Sequence, residues 1–126
     1  MSVVIDSSAL LAVLWSEPGF DLVMESLEGA KISAVNFAEV SSKLVDREAT
    51  SEELRRIIKN FSIEVIAFDE TQAIMVGNLR KATRSQGLSI GDRACIGLAM
   101  AEGATVLTAD RAWAKLDLGV EITLIR

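Results

Sequence analysis

TVLTADRAW, residues 105–113, passes from a β-branched apolar run to an acid, an arginine and an apolar pair. Thr105, Val106 and Leu107 read as a buried strand, and Asp110 just beyond them reads as the start of a helical turn. An aspartate there accepts hydrogen bonds from the free N–H groups of the first turn and faces the positive end of the helix dipole. One such acid is an ordinary cap. Its significance depends on whether the arrangement recurs.

It does. Working outward, short apolar runs at Val3 to Ile5, Ile32 to Val35, Ile63 to Ala67 and Glu121 to Ile125 alternate with helical patterns. Pro18-Gly19 closes a first helix and Phe20 to Leu27 begins the next. Longer helices are predicted at Asn36 to Val45, Ser51 to Phe61, Thr71 to Ser85 and Ile90 to Glu102, the last stopped by Gly103. Strands that alternate with helical segments and are apolar on both faces predict an α/β fold in which a mostly parallel sheet is covered by helices on both sides. Ligands in such folds bind beyond the carboxyl ends of the strands. Function is to be sought where strands end.

The 126 residues suit a single domain, 1–126, with half of them hydrophobic and no low-complexity linker. A lone cysteine, Cys95, rules out an intrachain disulfide, and its setting in ACIGLAM reads as a small buried thiol. The chain runs into VVIDSSALLAVLW without a basic segment, and no apolar run approaches the roughly 18 residues of a membrane span. A cytoplasmic protein with no membrane partner is the expectation. Histidine and tyrosine are both absent, which excludes Ser-His-Asp and Cys-His catalysis and the two-histidine zinc helix. A net charge of -5 argues against a broad basic face but leaves room for a small one.

The acids at strand ends carry what chemistry remains. Asp6 follows Val3-Val4-Ile5, Glu39 sits in the first turn after Ile32-Ser33-Ala34-Val35, Asp110 follows Val106-Leu107-Thr108, and Asp92 begins the helix before that strand. Each has a structural reading: Asn36 to Glu39 matches a capping box, Ser89 to Asp92 resembles one, and Asp6 precedes the first helix. Asp69, followed by Glu70-Thr71-Gln72, shows how common such caps are. Taken as a set on one rim of a parallel sheet, these carboxylates repel unless a cation neutralises them or their pKa values rise. An all-oxygen donor set suits Mg2+ or Mn2+ rather than Zn2+. Such a site hydrolyses phosphodiesters without histidine.

In VVIDSSALLAVL, SAVNFAEV, LSIGDRACIGLAMAEGATVLTADRAW and VEITLIR, in that order over nearly the whole chain, the sequence resembles the PIN-domain nucleases, and among them the VapC-type toxin ribonucleases of toxin–antitoxin pairs. The resemblance implies a three-layer α/β/α sandwich with strand order 3-2-1-4-5, placing Asp69 on the sheet's edge. It implies a Mg2+ or Mn2+ site lined by Asp6, Glu39, Asp92 and Asp110 and organised by the hydroxyls of Ser8 and Thr108. Asp6 and Asp92 would be direct ligands, with Glu39 and Asp110 binding a second ion or orienting water. It further implies an RNA substrate, an antitoxin protein and a homodimer.

Arg93, Arg111, Lys81 and Arg84 are candidates for RNA phosphates, weighed against ordinary solvated surface charges. Trp15 and Trp113 read as core or interface rings, and Gly97 and Ala101, one turn apart, as a place for close helix packing. Two other functions fit parts of the pattern. A receiver-like Mg2+-binding phosphoacceptor domain has similar length and alternation and would take Asp69 as its acceptor. A non-catalytic PIN-like interaction module would keep the acids as caps only.

Overall fold

In the computed structural model, which describes residues 2–126, strand β1 (Val3–Ile5) is the central member of a five-stranded sheet. Its neighbours are β2 (Lys31–Ser33) and β4 (Thr105–Thr108), with β3 (Glu64–Ile66) and β5 (Ile122–Leu124) outermost. The order is β3-β2-β1-β4-β5 and every pairing is parallel. Ile5 pairs with Leu107, so Asp6 and Thr108, the next residue of each segment, stand side by side at the carboxyl edge of the sheet.

Helices cover both faces. On one side α1 (Ser7–Leu14), α2 (Phe20–Ser26), α3 (Ala34–Val45) and α4 (Ser51–Asn60) pack on Ile5, Ile32 and Leu107. On the other, α5 (Glu70–Thr83) and α6 (Ile90–Glu102) join Val4 and Val106 around Leu98 and Trp113. Alternate residues of β1 and β4 therefore face different cores, which is why these strands read as continuous apolar runs. Among the described residues no helix is long and apolar enough to cross a membrane.

Two boundaries differ from the sequence reading by two residues, each for a local reason. The second strand ends at Ser33 rather than Val35, because the Ser33 hydroxyl accepts from the Val35 N–H at 3.2 Å and starts α3 two residues early. That moves Asn36 inside the helix, so it is not the cap that its spacing from Glu39 suggested. At the other boundary, α5 stops at Thr83, whose hydroxyl bonds back to the Leu79 carbonyl at 2.7 Å, and residues 84–86 tighten into a 3-10 turn. Arg84 thus lies one residue past the helix that carries Lys81.

The sheet order removes one competing function. A receiver-type sheet runs 2-1-3-4-5, with the third strand beside the first. Here β3 is at the edge, and Asp69 beyond it caps α5 by accepting from the Gln72 N–H at 2.9 Å. It stands apart from the acids of the central strands.

Gly97 meets α5 closely: a Cβ there would stand 3.3 Å from Val76 Cγ2 and 3.7 Å from Leu79 Cδ1. Gly97→Val forces branched methyls into that contact and is expected to cost about 1–3 kcal/mol in urea-induced unfolding. An unchanged midpoint would show that α5 moves aside freely.

Candidate functional site

The local chemistry of the β1–α1 junction places Asp6. Its backbone is extended while Ser7 onward is helical, and its Oδ1 accepts from the Ala9 N–H at 2.9 Å and from the Ser8 hydroxyl at 2.7 Å. Thr108 Oγ1, arriving from β4, donates to Oδ2 at 2.5 Å. Only 6% of the residue's surface is exposed. Ser8 and Thr108 extend the arrangement, for the Ser8 hydroxyl also accepts from the Ala109 N–H and Thr108 Oγ1 accepts from the Asp110 N–H.

Glu39 projects from α3 and is exposed at its tip. Its Oε1 accepts from the Ser7 hydroxyl at 2.5 Å and from Asn36 Nδ2 at 3.0 Å. Asp92, in the first turn of α6, closes a capping box: Oδ2 accepts from the Ser89 N–H while its own N–H donates to the Ser89 hydroxyl. Asp110 caps a 3-10 turn over residues 111–115 through Oδ1 and the Ala112 N–H. In each of these three carboxylates one oxygen is fixed by protein donors. The second oxygen, Oε2 of Glu39, Oδ1 of Asp92 and Oδ2 of Asp110, takes no hydrogen bond among the described residues.

Burial pushes the Asp6 carboxyl above its ordinary value, the bonds from Ser8, Thr108 and Ala9 pull it down, and the charge of Asp92 pushes it up again. Cys95, fully buried on α6, has its thiol raised well above 9.0, by burial first and then by Asp6, Asp92 and Glu39 in turn. It is held as a thiol and is no nucleophile. The Glu39 carboxylate lies against Gly91, next to Asp92 in the first turn of α6, and Asp6 and Asp110 are joined through Thr108.

Tied to their caps, no three acid or thiol side chains among the described residues are gathered as they stand into a set that would hold an ion. The donor chemistry nonetheless fits a hard divalent cation: the candidate ligands are carboxylates, and Glu39, Asp92 and Asp110 each keep one oxygen without a hydrogen bond among the described residues. Hydroxyls and N–H groups already fix the other oxygens.

The candidate cations divide. Arg93 is occupied, donating to the Val76 carbonyl at 3.0 Å and to the Ser89 carbonyl at 3.4 Å, so it fastens α6 to α5. Lys81, Arg84 and Arg111 are exposed and form no ion pair among the described residues. Trp113 is in the core, and Trp15 is half-buried beneath the Arg47 guanidinium, 3.8 Å from its ring centre. Three residues that hold Glu39 were not read as part of the site from the sequence: Ser7, Asn36 and Gly91. The spacing of Asn36 from Glu39 was the available signal, read as a cap instead of a side-chain contact.

A PIN-domain family profile matches residues 3–118. The chain is 29% identical to a VapC ribonuclease of Mycobacterium bovis over 114 residues, covering 82% of this chain and 87% of that protein. Among solved structures it is similar to a toxin–antitoxin complex from Klebsiella pneumoniae, with a TM-score of 0.78 at 16% identity over 99% of this chain and 98% of that one. It is also similar to VapBC2 of Rickettsia felis bound to a promoter DNA fragment, with a TM-score of 0.72 at 20% identity over 98% of each chain.

The raised carboxyl of Asp6 has a consequence for stability. Below its ordinary value of 3.8 the acid is protonated in both folded and unfolded chains and costs nothing. As pH rises, the unfolded chain ionises first and stability falls until the folded carboxyl has also lost its proton. Asp6→Asn keeps a capping oxygen without the buried charge. In metal-free buffer at pH 7 it should melt above the unmodified protein, and the gap should close below pH 3.8. A lower melting temperature at pH 7 would mean that the hydrogen bonds outweigh the burial.

Proposed function

The chain belongs to the PIN-domain family, and from that premise we propose that it is a VapC-type endoribonuclease, the toxin of a toxin–antitoxin pair, acting on RNA phosphodiester bonds with Mg2+ or Mn2+. The observation that carries the reading is the placement of the acids at the carboxyl edge of a parallel sheet, where Asp6 is hydrogen-bonded to Thr108 of the neighbouring strand and the Glu39 carboxylate rests against Gly91, next to Asp92 in the first turn of α6. Asp6 and Asp92 would hold the ion, with Glu39 and Asp110 holding a second or orienting water. A divalent ion supplies neutralisation of phosphoryl charge and activation of water.

The protein's own groups divide the remaining work. Asp6, caged by Ser8, Thr108 and the Ala9 N–H, is a fixed point and not a proton carrier. Glu39 and Asp110 are exposed residues whose Oε2 and Oδ2 take no hydrogen bond among the described residues, oxygens suited to accept a proton from an attacking water. With no histidine in the chain, carboxylates are the bases available at this rim. Lys81, Arg84 and Arg111 are free to meet the phosphates of RNA.

The similarity to toxin–antitoxin complexes supports an antitoxin partner, and a homodimeric toxin is part of the same proposal. Exposed Phe20, Leu22 and Met24 on α2 offer apolar surface to such a partner.

One observation favours a non-catalytic module: Asp6, Asp92 and Asp110 each cap a helix or turn, which accounts for them without any chemistry. Asp110→Asn decides between the readings. It retains a capping oxygen, so a purely structural Asp110 leaves RNA cleavage in Mn2+ near the unmodified level. A catalytic Asp110 loses cleavage by about 100-fold or more with the fold intact. Asp69→Asn is the matched control and should cleave normally. Equal cleavage by the unmodified protein in excess chelator would refute the metal-dependent reading.

A further inference from the structure

Asn36 is 2% exposed, yet it is an amide on the inner side of α3. Its Nδ2 donates to Glu39 Oε1 and to the Gly91 carbonyl of α6, both at 3.0 Å, and its Oδ1 is buried without a partner. Leaving an amide oxygen unsatisfied is destabilising, so an apolar side chain of the same size would suit the fold better. Gly91 is the complement. A Cβ there would fall on the Glu39 carboxylate, although alanine is the better helix former at that position.

The geometry points to Asn36 and Gly91 as positioning residues: one draws the Glu39 carboxylate against the first turn of α6, and the other leaves the space it occupies, so that Glu39 lies beside Asp92 and its free Oε2 is available to the site. This rests on the proposed nuclease function. Ser7 completes the seat, its hydroxyl donating to both Glu39 Oε1 and the Asn36 carbonyl. Three helices thereby converge on one carboxylate.

Asn36→Leu tests the seat. Mn2+ affinity is measured by calorimetry on metal-free protein, alongside thermal unfolding and the kcat and KM of RNA cleavage. The variant should unfold at or above the unmodified temperature while Mn2+ affinity and kcat fall about tenfold or more, as when partners that orient a metal's ligands are lost. KM should hold. In a Glu39→Gln background the same substitution should cost little further, because the group it positions is already changed.

Should Asn36→Leu fail to fold, Gly91→Ala takes its place. It should stay folded and lose Mn2+ affinity, and in a Glu39→Ala background it should have no effect. Unmodified Mn2+ affinity and kcat in the folded variant, or an equal loss in both backgrounds, would overturn the inference. If the unmodified protein itself neither binds Mn2+ nor cleaves RNA, it is the nuclease reading that fails.

Discussion

The Asp6 carboxylate is buried where β1 hands over to α1, with donors from Ser8, the Ala9 N–H and Thr108 directed at its two oxygens. Those donors come from a helix on one side and from the neighbouring strand on the other. Ser8 in turn receives the Ala109 N–H, and Thr108 receives the Asp110 N–H. The course of the chain after β4 is thus set by the same cage that holds the acid. Replacing the cage with apolar packing would relieve the buried charge but leave the N–H groups of Ala9 and Asp110 without these partners.

Cap and ligand are compatible roles because a carboxylate has two oxygens. At Asp92 and Asp110 one oxygen satisfies the start of a helix or turn, and at Glu39 one is secured by Ser7 and Asn36. Each side chain is thereby oriented before any ligand arrives, which lowers the entropy lost on binding. The same arrangement brings the charges of Glu39 and Asp92 to the first turn of α6, and the Cys95 thiol on that helix is pushed up by burial first and then by Asp6, Asp92 and Glu39. Charge of one sign, oriented and incompletely paired, is what a hard cation would relieve.

Much of this was legible in the sequence. Alternating apolar runs and helices gave the α/β class, Gly103 ended α6 in the left-handed conformation at φ 61°, and Ser89 with Asp92 formed the box their spacing implied. The strand order came from the resemblance to PIN domains, since nothing in short apolar runs says which strand lies beside which. What stayed hidden depended on tertiary partners. Val35 looked like strand because it is β-branched, but Ser33 supplied a cap that outweighed that preference. Asn36 looked like a cap because such residues start helices, whereas its partner Gly91 is 55 positions away in the chain. Arg93 looked available to phosphate until the Val76 carbonyl was seen to hold it.

The central claim is that the acids capping these elements also form one cation site. Crystals of the protein soaked in Mn2+ and measured at the manganese absorption edge test it directly. The account predicts an anomalous peak enclosed by the carboxylates of Asp6 and Asp92 with Glu39 alongside. The absence of a peak there, at Mn2+ concentrations that sustain RNA cleavage in solution, would contradict it.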